Sequence, residues 1–213
     1  MHSSKRVTSK SRVQGKSSSQ RKTATDGRVR IIGGEHRGRR IAVPDRPGLR
    51  PTPDRVRETL FNWLGQRLDG LACLDLFAGS GALGFESASR GAARVVMVEN
   101  DGDAFRALEQ THKTIGFATV ELVFGDAFDY LQRGDARFDV VFLDPPFRQN
   151  ALATALERLP RRLAPGARVY VEAPEPHAAG AGWGELKRAR AGQVSYQLLE
   201  WRGDDQGGLP GNV

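Results

Sequence analysis

Apolar residues along most of the chain follow two alternating patterns. From Leu71 onward, short apolar runs alternate with segments in which apolar residues recur every three or four positions, which predicts strands alternating with helices. The predicted strands are LACLDLF, ARVVMVE, TVELVFG, FDVVFLD and ARVYVEA. Because strands joined by helices pair in parallel, we predict a doubly wound, mostly parallel α/β sheet, to which ELKRARAGQVSYQLLEW adds an antiparallel C-terminal strand pair.

The segment before this sheet has a different pattern. RVRII (28–32) and RRIAV (39–43) flank the glycine-rich GGEHRG, which predicts a β-hairpin. Apolar residues at helical spacing then predict a helix from about residue 54 to 67, with Asp54 or Thr52 as its N-cap. We therefore expect an N-terminal hairpin and helix over residues 28–68 and a sheet domain over 69–203.

The two ends of the chain lack apolar side chains. Residues 1–27 are rich in Ser, Lys and Arg and bury too little surface to offset chain entropy, so we predict a disordered basic tail there. Residues 204–213 are predicted to be a frayed tail.

The charge is unevenly distributed along the chain. The net charge is +7, yet residues 1–60 carry 16 Lys and Arg against 5 Asp and Glu, and the remainder carries 16 against 20. This asymmetry indicates a polyanionic partner held by the N-terminal part, with a merely solubilising tail as the alternative. Five of these basic residues lie in the predicted hairpin: Arg28, Arg30, Arg37, Arg39 and Arg40.

Several classes of protein are disfavoured by composition. One cysteine, Cys73, cannot build a disulfide framework or a zinc ligand set, and the four histidines show no metal-ligand spacing. No apolar run approaches the roughly 18 residues that span a membrane. We expect a cytoplasmic protein that needs no metal, with Cys73 in the core.

A glycine-rich turn follows the first strand of the sheet. In LDLFAGSGALG (74–84), Asp75 lies near the end of the strand, and Gly79, Ser80 and Gly81 turn directly into a helix. This is the layout of a nucleotide-type cofactor site, although not the G-x-G-x-x-G dinucleotide fingerprint. Asp75 would repel a pyrophosphate but can face a cation such as an α-ammonium group. A purely structural turn is the alternative.

Acidic residues also end the next two strands. Glu99 ends the second strand, 24 residues after Asp75, where a carboxylate can accept bonds from both ribose hydroxyls. Asp126 follows the third strand, where it could meet an adenine amino group or, equally well, cap the following helix. Because carboxyl ends of parallel strands meet at one edge of the sheet, these acids are expected to share a ligand site.

The fourth strand ends in the sequence FDVVFLDPPFRQN (138–150). Asp144 and the carbonyl oxygen of Pro145 can each accept one hydrogen of an exocyclic amine, Pro146 keeps the turn rigid, and Phe147 can stack on a flat base. The alternative is a strand end with an N-capped helix and a packed phenylalanine.

These motifs resemble those of a known class of enzymes. DLFAGSG, VVMVEN and FLDPPF are similar to motifs of Rossmann-like S-adenosylmethionine-dependent methyltransferases that modify exocyclic amines, and DPPF matches their [DNS]-P-P-[YFW] signature. RIIGGEHRGRRI, RPTPDRVRETLFNWL and DLFAGSGALGFESASRGA resemble the RsmD family over about residues 28–201. The resemblance implies methyl transfer from S-adenosylmethionine to the N2 of a specific guanine in 16S ribosomal RNA, within a 30S subunit or an assembly intermediate.

The resemblance also implies roles for individual residues. The cofactor would be held by Asp75, Phe77, Ala78, Gly79, Ser80 and Gly81, by Glu99 and Asn100 at its ribose, by Asp126 and Ala127 at its adenine, and by Thr52 and Arg55 at its methionine end. Asp144, Pro145, Pro146 and Phe147 would hold the target base, and Arg50 would join the hairpin arginines at the RNA.

Two alternatives to this function remain from the sequence. One is another exocyclic-amine methyltransferase, acting on adenine N6 of nucleic acid or on a protein glutamine. The other is a non-catalytic RNA-binding assembly factor. The protein is expected to be a monomer.

Overall fold

A seven-stranded mixed sheet forms the centre of the protein. The computed structural model describes residues 28–43, 52–145, 150–178 and 180–203. Its strands are β1 (Arg28–Arg30), β2 (Arg40–Ala42), β3 (Ala72–Asp75), β4 (Arg94–Glu99), β5 (Val120–Phe124), β6 (Phe138–Leu143), β7 (Leu163–Ala173), β8 (Trp183–Ala191) and β9 (Val194–Trp201). The central sheet has the order β5-β4-β3-β6-β7-β9-β8, and β1 pairs only with β2.

One strand of the sheet, β9, runs against all the others. From β5 to β7 every neighbouring pair is parallel, whereas β9 is antiparallel to both β7 and β8. The predicted parallel sheet with an antiparallel C-terminal pair is therefore confirmed. The insertion of the last strand, β9, between β7 and β8 had no signal in the sequence.

Helices cover both faces of the sheet. They are α1 (Asp54–Leu64), α2 (Ala82–Ser89), α3 (Gly102–Ile115), α4 (Ala127–Gln132) and α5 (Ala151–Arg158), with a 3₁₀ turn at Leu159–Arg162. One buried cluster joins α1, α2 and α3 to side chains such as Cys73 and Phe142, and a second joins α4 and α5 to the opposite face. A sheet with helices on both faces is the doubly wound arrangement. Cys73 lies in the core, as expected.

Helix α1 differs from its prediction at both ends. Neither Thr52 nor Asp54 caps it, because the N-cap is Pro53 without a side-chain bond, and both predicted side chains bind elsewhere. The helix ends at Leu64 rather than near residue 67, since Gly65 takes the left-handed conformation that terminates helices.

The N-terminal hairpin is anchored to α2 through its backbone. The fully buried carboxylate of Glu86 accepts the N–H groups of Ile32 and Gly33, each over 2.8 Å. Gly34 has a φ of +74°, and a Cβ there would lie 1.7 Å from the carbonyl oxygen of Ser89, so only glycine allows this approach. The predicted hairpin is thus confirmed, and it shares the core of the sheet domain rather than standing apart from it.

Some predictions concern residues outside the part of the chain just defined. These are the basic tail 1–27, the frayed end 204–213, and Arg50, Pro146 and Phe147. Across the described residues, every helix is too short or too polar to cross a lipid bilayer.

Candidate active site

Four carboxylates lie at the ends of four neighbouring strands, on one face of the sheet. Asp75 of β3 is in register with Met97 of β4 and Phe142 of β6, and Phe142 is in register with Tyr170 of β7. Since side chains alternate along a strand, the residues two positions further on share that face. They are Glu99, Asp144 and Glu172. The sequence predicted Asp75, Glu99 and Asp144 for this row but not Glu172.

The glycine-rich turn is bonded to the tips of these strands. The Ala78 N–H donates to the Val98 carbonyl over 2.9 Å, and the Gly79 N–H donates to Glu99 Oε2 over 2.7 Å. Gly81, at φ +77°, is the N-cap of α2, and a Cβ there would clash with the side chains of Phe85, Leu108 and Met97. The turn is therefore held close to the ends of β3 and β4.

Other residues of the turn pack around it. Ala78 and Ser80 are buried, and the half-buried Phe77 makes an edge contact with Phe128 at 6.2 Å between ring centroids. These predicted residues are hence brought together at one strand edge.

Asp75 is buried beneath the turn. Its Oδ2 accepts the N–H of Gly84, in the first turn of α2, over 2.9 Å. Burial raises the pKa of Asp75 from 3.8 to about 7, the Gly84 bond lowers it, and the charge of Glu99 raises it further. The Gly84 N–H is neutral and leaves the negative charge of an ionised Asp75 uncompensated. The ionised Asp75 carboxylate therefore favours a cationic ligand.

Glu99 is bonded by both of its oxygens. Besides Gly79, the Asp101 N–H donates to Glu99 Oε1 over 2.7 Å. The carboxylate is half-buried, and the adjacent Asn100 is exposed. An acceptor fixed in this way at the end of β4 suits vicinal hydroxyl donors such as those of a ribose.

Asp126 caps α4, which was one of the two interpretations of this residue. Its Oδ1 accepts the N–H groups of Phe128 over 2.8 Å and of Asp129 over 3.1 Å. Ala127, the first residue of α4, is buried. The adenine contact of Asp126 and Ala127 stays a prediction.

Asp144 follows β6 directly and is only partly exposed, and Pro145 is buried next to it. Burial raises the pKa of Asp144 well above its ordinary value, and the charges of Glu172 and Asp75 raise it further. The three carboxyl groups are therefore close enough to interact electrostatically. Among the described residues, no three His, Cys, Asp or Glu side chains have the arrangement of metal ligands.

Glu172 is the functional candidate that sequence reasoning missed. Its Oε1 accepts the hydroxyl of Tyr170 over 2.7 Å and the hydroxyl of Thr52 over 3.3 Å. Burial raises the pKa of Glu172, while these two bonds lower it. The rule that found Glu99 also fits Glu172, because ARVYVEA has an acid as its last residue but one, near the carboxyl end of a parallel strand.

Thr52, just before α1, binds Glu172 of this row, whereas Arg55 lies exposed on the first turn of α1. Their contacts with the methionine end of the cofactor stay a prediction. The hairpin arginines Arg28, Arg30, Arg37, Arg39 and Arg40 are all exposed. Arg30 is paired with Asp54 over 3.5 Å.

A buried ion pair beneath the hairpin also had no sequence signal. Arg57 and Glu86 are both fully buried, lie 3.4 Å apart, and join α1 to α2. Arg57 also donates to the carbonyl oxygens of Arg30 over 2.8 Å and of Thr52 over 3.2 Å. The pair thus links the hairpin, α1 and the helix that follows the glycine turn.

Comparison with known proteins identifies the family. Residues 29–200 match the family model described as "Conserved hypothetical protein 95". The chain is 42% identical to Ribosomal RNA small subunit methyltransferase D of Escherichia coli over 179 residues, covering 82% of this chain and 90% of that protein. It is also 42% identical to the protein of that name from Haemophilus influenzae over 182 residues, with coverages of 82% and 94%.

The fold agrees with that family. The solved structure of the Escherichia coli protein yhhF superposes with a TM-score of 0.76 at 39% identity, covering 83% of this chain and 99% of that one. The glycine turn, the strand-end acids and this similarity together show that the chain belongs to the RsmD family of Rossmann-like methyltransferases.

Proposed function

We propose that the protein transfers a methyl group from S-adenosylmethionine to the exocyclic N2 of a specific guanine in 16S ribosomal RNA. The observation that carries the proposal is the position of Asp144 and Pro145 at the end of β6, directly beside β3, whose end leads into the glycine turn. A methyl donor held by that turn and an amine held by Asp144 would meet at adjoining strand ends.

The residues present fit S-adenosylmethionine. The buried Asp75 carboxylate suits the α-ammonium group, and Glu99, fixed by two backbone bonds, suits the ribose hydroxyls. Phe77, Ala78, Ser80 and Gly81 would line the pocket, Asn100, Asp126 and Ala127 would border the adenine, and Thr52 and Arg55 would cover the methionine end. When bound, S-adenosylmethionine supplies a methyl group already activated by the sulfonium.

Asp144 and Pro145 act on the amine. The lone pair of guanine N2 is delocalised into the ring, which makes this nitrogen a weak nucleophile. Two acceptors, the Asp144 carboxylate and the Pro145 carbonyl, would turn the amine towards tetrahedral geometry and stabilise the positive charge that develops on it. The raised pKa of Asp144 suits it to take the proton that N2 loses once the N–C bond forms and the C–S bond breaks.

The substrate is expected to be presented by the hairpin side of the molecule. Exposed arginines of the hairpin would contact phosphates, and the target base would be looped out of its helix to reach Asp144. We further propose that the protein acts as a monomer in the cytoplasm, on a 30S subunit or an assembly intermediate.

Methylation of undermethylated 30S particles tests the proposal. With S-adenosylmethionine, the wild-type protein is expected to add one methyl group, which mass mapping of the 16S RNA would locate on a guanine N2. Asp144→Ala should lower turnover at least about 100-fold, while its affinity for S-adenosylhomocysteine stays close to the wild-type value.

Asp135→Ala is the matched control, because Asp135 is exposed in the loop before β6. A methyl group on adenine N6, or full activity of Asp144→Ala, would contradict the proposal. Binding of the particles without any methyl transfer would instead indicate a non-catalytic assembly factor.

A further inference from the structure

Glu172 has no role in the chemistry described so far, yet it is built into the site. Its side chain is only 8% exposed, and both the Tyr170 and the Thr52 hydroxyls bind the same oxygen, Oε1. Tyr170 belongs to β7, and Thr52 lies just before α1. Because the two hydroxyls come from different segments of the chain, they fix the orientation of the Glu172 carboxylate.

The position of Glu172 relative to Asp144 follows from strand register. Leu143 of β6 is in register with Val171 of β7, so the next residues along the two strands, Asp144 and Glu172, are neighbours on one face. In the order β3-β6-β7, Glu172 lies on the side of Asp144 that faces away from the glycine turn. A base whose amine is held at Asp144 would therefore present the rest of its edge to Glu172.

The two purines differ at the atom next to the amine. In guanine, the amine N2 is followed along the edge by N1–H, a hydrogen-bond donor. In adenine, the ring nitrogen beside the amine, N1, carries a lone pair. A carboxylate at this place can accept the guanine N1–H but would repel the adenine lone pair, leaving a buried charge unpaired.

We propose that Glu172 accepts the N1–H of the target guanine and thereby selects guanine over adenine. This inference rests on the proposed function, because it assumes that the amine at Asp144 is N2. Glu172 would contact the base directly, with Tyr170 and Thr52 as positioning residues that hold its carboxylate. The N1 hydrogen stays on guanine, so the only proton lost in the reaction is the one from N2.

The bond would also favour the reaction. Acceptance of N1–H by a carboxylate increases the electron density of the ring and so makes the N2 lone pair more available. Burial raises the pKa of Glu172, which makes it a stronger acceptor than an exposed glutamate. The charge of Glu172 also stabilises the positive charge developing on N2.

Purine analogues at the methylated position test this inference. In 2-aminopurine and 2,6-diaminopurine the amine at C2 is kept, but N1 carries a lone pair instead of a hydrogen. On reconstituted 30S particles, we expect the wild-type protein to prefer guanine over 2,6-diaminopurine by at least about 100-fold in kcat/KM. Equal rates on the two would overturn the inference without any variant being needed.

Glu172→Gln gives the reciprocal test, because the glutamine amide can donate to the N1 lone pair of 2,6-diaminopurine. In this variant, kcat/KM on guanine is expected to be about 10- to 100-fold lower than in the wild type. The preference for guanine over 2,6-diaminopurine should fall by at least the same factor. Tyr170→Phe is the matched control, since it loosens the carboxylate but keeps its charge. It should slow methylation of guanine while the preference for guanine persists.

These experiments distinguish failure of the proposed role of Glu172 from failure of the proposed function. An unchanged guanine preference in Glu172→Gln, with wild-type affinity for S-adenosylhomocysteine, would overturn the role of Glu172 and leave the proposed function intact. Failure of the wild-type protein to methylate guanine N2 at all would overturn the proposed function and this inference together.

Discussion

The Gly79 N–H donates to Glu99 Oε2 over 2.7 Å, and this bond ties the glycine turn to the end of β4. The second oxygen of Glu99 accepts the Asp101 N–H over 2.7 Å, so one carboxylate fixes the two loops that follow β3 and β4. The proposed ribose and methionine subsites are thus positioned by a single side chain.

Replacement of Glu99 by glutamine should weaken cofactor binding. The amide offers only one acceptor atom and places an NH₂ group against a backbone N–H, and it removes the charge that would bind the ribose hydroxyls. We expect the affinity for S-adenosylhomocysteine, measured by calorimetry, to fall about 10- to 100-fold. Glu121→Gln on the edge strand β5 is the control, since Glu121 is exposed and pairs only with Arg94 among the described side chains. Equal loss in both variants would argue against the ribose role.

Asp75 should make the stability of the cofactor-free protein depend on pH. Its pKa is about 7 in the folded protein against 3.8 ordinarily, so between these values the folded state binds more protons than the unfolded one. Stability therefore falls as the pH rises through this window. From pH 5 to pH 8 the free energy of unfolding of the wild type should drop by about 2–3 kcal/mol relative to Asp75→Asn.

Urea denaturation of the two proteins at both pH values measures this difference. Asp75→Asn keeps an acceptor for the Gly84 N–H but has no charge to bind an ammonium group, so it should also lose affinity for S-adenosylhomocysteine. Parallel pH profiles of stability would show that Asp75 titrates near its ordinary value.

Arg57→Met should destabilise the fold, because it leaves the buried carboxylate of Glu86 without one of its cationic partners. Breaking one side of a buried ion pair typically costs about 3–5 kcal/mol, and we expect the lower end since Arg90 also binds Glu86 over 2.7 Å. Arg67→Gln, at the exposed pair with Asp69, should leave the free energy of unfolding unchanged. Similar unfolding midpoints in urea for Arg57→Met and the wild type would contradict this assignment.

Hairpin arginines should contribute to RNA binding in a salt-dependent way. Arg37→Gln and Arg39→Gln are each expected to reduce the slope of log affinity against log salt by about 0.7–0.9. Arg188→Gln is a suitable control because Arg188 is exposed on β8, at the edge of the sheet opposite β5. The three slopes can be compared by filter binding to 30S particles. If the slope fell by the same amount in all three variants, the hairpin arginines would not be preferred RNA contacts.

Much of the candidate site was predictable because the end of a strand can be recognised from the local sequence. Asp75, Glu99 and Asp144 each follow an apolar run, and the parallel direction of the strands requires their carboxyl ends to share one edge. The glycines of the turn were also identifiable, because glycine adopts a left-handed φ, such as that of Gly81, more readily than other residues.

Other features depend on residues far apart in the chain. The ion pair between Arg57 and Glu86 spans 29 positions, and the bond between Thr52 and Glu172 spans 120. Local pattern predicted Thr52 or Asp54 as the helix cap, and that prediction was wrong. Pro53 is the N-cap, while Thr52 binds the distant Glu172 and Asp54 binds Arg30 as well as its near neighbour Arg57. A polar side chain binds the partner that is nearest in space, and sequence spacing does not give that distance.

The sequence by itself determined the elements, their parallel pairing and the row of acids and glycines, since periodicity and backbone preference are local properties. Only the tertiary structure decided that β9 lies between β7 and β8, that Glu86 anchors the hairpin, and that Glu172 stands beside Asp144. These outcomes depend on strand order, register and burial, which are fixed when distant segments pack together.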